Sequence, residues 1–345
     1  MNDVMHDDDR QLARIRWYRT PIEKELFREL SQRSDLLGGL QTGAYVALYA
    51  LTAAAAFYGA IHWPWYWVLG VVFVHGTITA FSENAMHEFT HNTVFRTNAL
   101  NALSVRMISF LGWLNFVTFN ASHTRHHAYT LYPPYDQEVV LPMRLTLWDF
   151  LRQGFFDPVR LYTVVRDTIR IARGRFEGQW ELISLPESDA HRRREAVRWA
   201  RVLLLGHGLV GVVSLWQGWW MVPVVITLAP FYGGCLFWLC NNTQHIGMQD
   251  NVADFRLNSR TFKLNPFVRL LYWHMNYHIE HHMYPAVPCY RLNRLHRALA
   301  HDLPCCPTGI AATWREIASI LERQRVDPAY RHAPAFTEGH CQSAP

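Results

Sequence analysis

The sequence predicts an all-α integral membrane protein, in which four transmembrane helices form two hairpins that carry a cytoplasmic helical cap. Two observations predict the membrane part. No Asp, Glu, Lys or Arg occurs between Asp35 and Glu83, and none occurs between Arg201 and Asp250. Tryptophans also cluster near the middle of both charge-free stretches. Because a helix crosses the hydrocarbon core with about 20 apolar residues, each stretch is long enough for two crossings and a turn.

The overall composition fits a chain with two unlike parts. Half of the 345 residues are hydrophobic, yet the mean hydropathy is only -0.08, because charged regions flank the apolar stretches. This apolar content excludes a disordered or collagen-like chain. The formal net charge is +5, but the 33 Lys and Arg are mixed with 28 acidic residues and form no strongly basic stripe. We therefore expect a membrane surface and no nucleic acid as partner.

The first membrane element is a hairpin at residues 39–82, which follows a cytoplasmic N-terminal segment at 1–38. Its helices are predicted at about 39–61 and 66–81, with the turn His62-Trp-Pro-Trp-Tyr-Trp67 between them. An uncharged, tryptophan-rich turn is typical of the aromatic belt at a membrane surface. This turn is therefore predicted to lie at one face of the bilayer.

The second hairpin is predicted at residues 198–240, with helices at about 198–216 and 221–240 joined by Gln217-Gly-Trp-Trp220. Every Lys and Arg lies outside the two charge-free stretches, so the positive-inside rule places the other helix ends in the cytoplasm. We expect a multi-pass protein with its active site on the cytoplasmic face. We expect it in a bacterial inner membrane rather than the endoplasmic reticulum.

Two further regions are predicted on the cytoplasmic side. Residues 83–197 begin with the moderately apolar segment Leu100–Phe119, which we expect to lie along the interface, with a re-entrant or spanning helix as the alternatives. Residues 241–345 are predicted to form the C-terminal cap, with a helix at about 309–323 and a frayed end.

Three histidine motifs lie close to the predicted cytoplasmic helix ends. They are His87-x3-His91, His123-x2-His126-His127 and His278-x2-His281-His282, and His245 adds a ninth ring four residues after Asn241. On a helix, residues three and four apart lie on one face with Cβ atoms about 5–6 Å apart. This spacing suits two rings on one metal or neighbouring rings on two metals. The cap is therefore predicted to hold a His-rich di-metal site.

The number of histidine rings indicates how many metals the site holds. Nine imidazoles are too many for one tetrahedral zinc, and they suit two metals with open positions. Imidazole binds iron, zinc and copper, so the ligands alone do not choose the metal. Glu88 and Glu280 could bind metal, although we favour for them the role of accepting the second N–H of a ligating ring. His274, four residues before His278, is predicted to lie on the same helix face as a ligand or an outer partner.

The remaining histidines have simpler interpretations. His75 and His207 lie inside predicted crossings, where we expect hydrogen bonds within the bundle. Six others are predicted to be solvated surface residues: His6, His191, His296, His301, His332 and His340.

The three motifs resemble the histidine boxes of the membrane-bound fatty acid desaturase superfamily, which also includes hydroxylases and carotenoid oxygenases. Residues 276–285 look like the third box of acyl-lipid desaturases, and residues 123–136 look like the second box. The resemblance implies two irons that activate O2 as a co-substrate. By position it implicates His87, His91, His123, His126, His127, His278, His281 and His282. It also matches His245 and Asn241 to a further histidine and a water-linked asparagine, and Asn242 competes for the second role.

The resemblance implies oxidation of an unactivated C–H bond. We favour a desaturase that acts on a fatty acyl or other lipid chain. A hydroxylase or ketolase of the same superfamily is the alternative, acting on an alkyl, sphingolipid or carotenoid chain or on a smaller amphipathic metabolite. A membrane zinc hydrolase or a metal carrier is a more distant alternative.

The electrons must come from outside the chain. The sequence contains no CxxCH haem attachment, no HPGG-type haem loop and no cysteine run for an iron–sulfur cluster. We therefore expect no covalently bound flavin or haem. A ferredoxin or cytochrome b5-type donor with its reductase is the expected partner.

Overall fold

The computed structural model describes residues 15–143 and 145–336, and these residues form an almost entirely helical protein. Strand-like pairing is limited, in this part of the chain, to four isolated bridges such as that between Thr261 and Tyr277. The predictions for His6, His340, the first residues of the N-terminal segment and the frayed C-terminal end concern residues outside the described part of the chain.

The helices are numbered here in chain order. They are α1 Lys24–Leu30, α2 Asp35–His62, α3 Trp65–Ala80, α4 Ser82–Thr90, α5 Asn98–Leu111, α6 Phe116–Tyr129, α7 Leu147–Phe155, α8 Pro158–Ala172, α9 Gln179–Ser184, α10 Ala190–Trp216, α11 Met221–Ile226, α12 Cys235–Asn241, α13 Phe255–Asn258, α14 Pro266–Leu271, α15 His278–Met283, α16 Leu292–Leu299 and α17 Ile310–Val326. Short 3-10 helices lie at Ala229–Phe231 and Cys289–Arg291. The helix predicted at about 309–323 is therefore confirmed as α17.

Three helices of the described chain are long and apolar enough to cross a membrane: α2, Trp65–Thr90 (α3 continued by α4) and α10. The helices α2 and α3 occupy the residues of the first predicted hairpin, with bounds that differ by a few residues from the predicted ones. The pair α5 and α6 is apolar enough to count as a fourth span, but its two helices meet at 106°. These three apolar helices agree with a membrane protein, whereas the two-hairpin topology stays a prediction.

The prediction of one continuous helix at about 221–240 is wrong. The segment consists of α11, the 3-10 helix Ala229–Phe231 and α12. Pro230 has no N–H to continue the helical ladder. Gly233 has φ +72°, and a Cβ there would lie 2.5 Å from the carbonyl oxygen of Phe73. The chain therefore turns closely against α3, an approach that only glycine permits.

The two tryptophan-rich turns lie at the same end of the helices. Ala56 and Val68, on either side of the first turn, pack with Met221 and Val225, which follow the second. The tryptophans themselves are exposed; for example, Trp65 is 72% and Trp216 is 83% exposed. This arrangement agrees with an aromatic belt at one membrane surface.

Histidines inside the helices hydrogen-bond within the bundle, as predicted. His75 contacts the Thr52 hydroxyl at 2.9 Å and the Val225 carbonyl at 2.8 Å. His207 contacts the Thr227 hydroxyl at 3.2 Å and the Phe110 carbonyl at 3.0 Å. These bonds join the α3 and α10 segments to their neighbours and satisfy polar groups that are buried.

The segment predicted to lie along the interface is sharply bent. Leu100–Phe119 belongs to two helices, because α5 ends at Leu111 and Asn115 caps the start of α6. The Asn115 side chain accepts from the N–H groups of Val117 and Thr118, and its amide donates to the Ala196 carbonyl on α10 at 3.0 Å. This single residue therefore sets the direction of α6, which carries the second histidine motif.

Candidate metal centre

The histidine motifs lie on three short helices and one turn. His87 is on α4 and His91 caps its C-terminus, the second motif lies in the last turns of α6, and the third occupies most of α15. His245 lies in the turn after α12. The largest apolar cluster of the protein, which includes Phe81, Phe89 and Trp273, packs beneath these elements. A rigid core therefore supports the histidines.

All nine predicted histidines converge, and they form two groups. The first cluster consists of His87, His91, His123, His127 and His281, and the second cluster consists of His126, His245, His278 and His282. Within each cluster, one ligand atom of every ring lies within 4.8 Å of the others. Their assignment as ligands stays a prediction, but the proximity on which it depends is present.

Each HxxHH motif is divided between the two clusters. In the second motif, His123 and His127 join the first cluster, whereas His126 joins the second. In the third motif, His278 and His282 join the second cluster, and His281 joins the first. The reason is helical geometry. The first and last histidines of each motif are four residues apart and lie one above the other on the same helix face. The middle histidine is one residue away from the last and therefore points in a different direction around the helix axis. A single HxxHH helix can therefore serve two neighbouring metal positions.

The Nε2 atoms point inward at short distances. The His87 and His281 Nε2 atoms are 2.8 Å apart, and those of His281 and His127 are 3.1 Å apart. In the second cluster, His278 Nε2 lies 2.9 Å from His245 Nε2 and 3.1 Å from His282 Nε2. One neutral ring can donate only one proton, so several converging nitrogens cannot all satisfy one another.

In four of the rings, the Nδ1 atom, which faces away from the clusters, has a hydrogen-bond partner. Asp136 lies 2.8 Å from His126 Nδ1 and Glu138 lies 2.9 Å from His123 Nδ1. The Asn258 carbonyl lies 2.8 Å from His245 Nδ1. The Thr130 hydroxyl lies 3.2 Å from His282 Nδ1. Carboxylate and carbonyl partners fix the proton on Nδ1, which leaves the Nε2 lone pair directed into the cluster.

The donor set therefore fits two metal ions. Lone pairs that converge in a buried site repel one another unless a cation lies between them. Two further inward atoms, His91 Nε2 and His123 Nε2, are buried and have no hydrogen-bond partner among the described residues. Burial lowers the pKa of His245 to about 3 and the pKa values of His278, His281 and His282 well below the usual range. These rings are neutral at physiological pH, as metal ligands must be.

Glu88 lies where an outer partner of a ligand is expected. Its carboxylate is buried, and Oε1 lies 3.6 Å from His281 Nδ1 and 4.0 Å from His87 Nε2. Asn241 lines the cavity beside the clusters, and its side-chain oxygen accepts from the Asn84 amide at 3.2 Å. Asn242 instead donates to the Trp238 carbonyl of its own helix at 2.9 Å. The geometry favours Asn241 over Asn242 for a role beside the metal.

One predicted outer residue, Glu280, and two predicted surface histidines, His296 and His332, have other neighbours. The Glu280 carboxylate contacts His296 and the Thr261 hydroxyl rather than a box histidine, because it points away from the clusters. His296, predicted to be solvated, is only 14% exposed and pairs with this carboxylate. His332, also predicted to be solvated, is 21% exposed and lies 3.8 Å from Glu316.

His274 is not on the helix face of His278, so that prediction is wrong. α14 ends at Leu271, and His274 follows in a turn with φ +59° before α15 begins. His274 belongs to neither cluster. The i, i+4 spacing to His278 misled because two residues in the left-handed region, Trp273 and His274, interrupt the helix.

Sequence reasoning did not single out Asp136 and Glu138, the carboxylates closest to box rings. Both follow the second motif in a loop, so no helical periodicity relates them to His126 or His123. Their sequence signal is a pair of acidic residues that follow His126 by ten positions and His123 by fifteen positions. Asp136 also accepts from the N–H groups of Leu131 and Glu138, which holds the loop against α6.

A cavity of about 540 Å³ opens onto both clusters and includes His87, His123, His126 and His278 in its lining. This volume lies within the range of small-molecule binding sites. Six apolar side chains form much of the remaining wall: Met86, Leu114, Phe119, Val139, Trp180 and Leu185. A substrate in this cavity would lie directly beside the histidines.

Comparison with known families and proteins gives one result. The family model described as Fatty acid desaturase matches residues 75–308, which is more than half of the 345 residues. The match includes all nine clustered histidines. No curated protein matches the chain.

Proposed function

Because the chain belongs to the fatty acid desaturase family, we propose that it is an O2-dependent di-iron desaturase that introduces a double bond into a fatty acyl or other lipid chain. The observation that carries this proposal is the pair of histidine clusters, with five and four rings around two adjacent positions. Family membership supports an oxidoreductase, and the convergence of nine rings in two clusters supports a metal centre.

The clustered histidines would hold the two irons, and when bound these would supply O2 activation and the abstraction of hydrogen from carbon. The protein's own residues hold this chemistry in place. Asp136 and Glu138 keep the second-motif rings in one tautomer and orientation. The apolar wall of the cavity would hold the chain beside the clusters and exclude water.

The reaction balances with an external reductant. Desaturation removes two hydrogen atoms from adjacent carbons, and these combine with O2, two electrons and two protons to give the double bond and two waters. We propose that a ferredoxin or cytochrome b5-type donor with its reductase delivers the electrons. Arg291 and Arg294 lie beside Glu29 on the exposed surface near α16, which is a candidate docking face for an acidic carrier.

Hydroxylation is the alternative outcome at the same site. It consumes the same O2, electrons and protons but returns one oxygen to the carbon, giving an alcohol and one water. The histidine clusters serve both reactions, so product analysis separates them. A zinc hydrolase is disfavoured because a structural zinc site uses four protein ligands and a catalytic one uses three. The two adjacent clusters together provide nine rings.

The location follows from the membrane helices and the charge pattern. The three candidate spans and the family membership support a membrane protein. We propose that the histidine clusters face the cytoplasm, since all Lys and Arg lie outside the apolar stretches, and that the host membrane is a bacterial inner membrane.

The test is product formation in a defined system. Cells that express the chain, and cells that express His281→Ala, are compared by lipid and metabolite profiling. We expect an unsaturated product only with the unchanged chain. The purified protein should consume O2 with substrate only when a ferredoxin or cytochrome b5 and its reductase are added to NAD(P)H. Product formation without O2 or electrons would overturn the proposal.

A further inference from the structure

A second groove runs along the outer face of α8. It has a volume of about 710 Å³ and, in the described chain, shares no lining residue with the cavity beside the histidine clusters. Its apolar lining residues follow one another at helical spacing: Pro158, Leu161, Tyr162, Val165 and Ile169. A different face of α8 packs on α10, where Ile171 and Ala172 meet Ala196 and Ala200. Tyr162 is 66% exposed, so the described chain leaves this apolar stripe uncovered.

The start of α8 lies against the apolar part of the protein. The Asp157 N–H donates to the Phe231 carbonyl at 2.8 Å, and the Gly233 N–H donates to the Phe155 carbonyl at 3.0 Å. Phe231 and Gly233 belong to the second charge-free stretch. The Phe155 ring also lies 5.7 Å from the ring of Phe73, in the middle of the candidate span that contains α3. We therefore expect this end of the groove at the depth of the hydrocarbon.

The end of α8 lies where α10 enters its apolar stretch. Arg201 Nε donates to the Ala172 carbonyl at 3.0 Å. Arg201 is the last charged residue before the second charge-free stretch, so its position marks the membrane surface. A helix with an uncovered apolar face and basic residues beside it is typical of the membrane interface. The groove therefore leads from the hydrocarbon to the layer of lipid headgroups.

The charge along the groove has one sign. No acidic residue of the described chain lines it, whereas four arginines do: Arg166, Arg170, Arg173 and Arg175. Arg166 pairs with Asp167 at 2.9 Å. Arg170 pairs with Glu181 at 2.6 Å and donates to the Arg175 carbonyl at 3.0 Å. Arg173 and Arg175 are exposed and form no ion pair within residues 15–143 and 145–336. Two cationic groups therefore lack a counter-ion at the headgroup end of the groove.

We propose that this groove binds an anionic phospholipid, with an acyl chain along the apolar stripe of α8 and the phosphate at Arg173 and Arg175. Guanidinium groups bind phosphate through paired, charge-assisted hydrogen bonds. A zwitterionic lipid carries its own ammonium group, so two arginines without counter-ions favour a headgroup with net negative charge. Free phosphate would match the arginines but would leave the apolar stripe uncovered. The site goes beyond the proposed function, because none of these residues lines the cavity beside the histidines.

The test titrates the iron-loaded, full-length protein in a mild detergent with two lipids that have the same acyl chains, phosphatidylglycerol and phosphatidylcholine. Native mass spectrometry counts the bound lipids and gives the affinity for each. We expect phosphatidylglycerol to bind at least about tenfold more tightly, because each arginine near a membrane surface favours an anionic lipid by about fivefold. Inorganic phosphate and the deacylated headgroup glycerophosphoglycerol, each at millimolar concentration, should not displace it.

Variants connect this preference to the groove. The double variant Arg173→Gln and Arg175→Gln should remove most of the preference for phosphatidylglycerol. Val165→Trp should weaken the binding of both lipids, because it fills the path of the acyl chain. Tyr162→Asp places a charge in the same path and serves if Val165→Trp fails to fold.

The matched control is the double variant Arg323→Gln and Arg325→Gln on α17. It removes the same charge at the same spacing from two exposed arginines that do not line the groove. This control should keep the full preference for phosphatidylglycerol.

Equal affinity of the unchanged chain for both lipids would overturn the inference. An equal loss of preference in the control would also overturn it, since the effect would then belong to the general surface charge. Binding that survives the arginine and groove variants would place the lipid elsewhere, for example beside the histidines. Displacement by inorganic phosphate would reduce the site to an anion site without a lipid chain. No step of this test requires turnover, so failure of the proposed desaturation would leave the lipid site standing.

Discussion

At the residue scale, the function depends on the carboxylates behind the histidine rings as much as on the rings. Asp136 accepts from three N–H groups, those of His126, Leu131 and Glu138. Asp136→Asn leaves one acceptor oxygen for these three donors. We expect iron affinity or activity to fall by about 10–100-fold, the usual loss for an outer partner of a metal ligand.

The measurement is iron per chain by mass spectrometry together with turnover. Asp250→Asn is the control, because Asp250 makes a surface ion pair with Arg331 away from the clusters. Full iron content and unchanged turnover in Asp136→Asn would show that this carboxylate does not support the centre.

A second residue-scale prediction concerns the buried pair of Glu280 and His296. Glu280 has no exposed side-chain surface, so His296→Ala leaves a buried charge without its partner. Removing one partner of a buried pair typically costs about 3–5 kcal/mol of stability. Thermal unfolding of His296→Ala in detergent should show the loss, and Glu280→Gln in addition should restore part of it. Unchanged unfolding would mean that the pair does not stabilise α15.

The same pair gives a pH dependence. Burial by itself would lower the pKa of His296, but the hydrogen bonds to Cys306 and Glu280 raise it to about 10 from an ordinary value of 6.5. A raised folded-state pKa means that the stabilisation is complete below pH 6.5 and is lost as the pH rises through 10. The difference in stability between the unchanged chain and His296→Ala should therefore shrink over this interval. A difference that grows with pH would contradict the assignment.

At this scale, the sequence predicted which histidine rings converge at the site, but not which groups hydrogen-bond to the Nδ1 atoms of these rings. The i, i+4 and i, i+3 spacings identify eight of the nine histidines because short helices preserve that periodicity, and His245 is added by its position after Asn241. The partners Asp136 and Glu138 lie in a loop, and Asn258 ends the separate short helix α13, so no helical spacing relates any of them to the rings they contact. His274 shows the opposite error, since a helical spacing was assumed across a turn.

At the element scale, hydrophobicity predicted the apolar helices but not their breaks. The segment at 221–240 is apolar enough for a span, yet Pro230 and Gly233 divide it. The bend of 106° between α5 and α6 depends on Asn115, which contacts α10 far away in the sequence. Both features arise from contacts between elements, and a hydropathy pattern does not contain them.

Gly233 provides the prediction at this scale. A Cβ at this position would lie 2.5 Å from the Phe73 carbonyl oxygen and 2.8 Å from the Thr77 amide nitrogen, both backbone atoms that cannot rotate away. Gly233→Ala should therefore lower the melting temperature, because the backbone also has a positive φ there. Gly43→Ala in α2 is the control, since its Cβ would meet no atom within 4 Å. Equal stability of both variants would contradict the close approach of the broken segment to α3.

At the scale of the whole molecule, the two tryptophan-rich turns and the histidine clusters should lie on opposite sides of the membrane. Reporter fusions after His62 and after Gln217 should both report the non-cytoplasmic side. This result follows from the cluster that packs the two turns together and from the absence of charge in both apolar stretches. A cytoplasmic signal from either fusion would refute the two-hairpin topology.

The central claim is that two neighbouring metal positions lie between the nine histidines. The most direct measurement is the metal content of the purified, iron-supplied protein, with Mössbauer spectroscopy to show whether the irons are coupled. We expect two irons per chain in one coupled centre, and a marked loss of this signal in both His281→Ala and His126→Ala, each of which removes a ring from a different cluster. One metal per chain, zinc in place of iron, or a full signal in either variant would contradict the account.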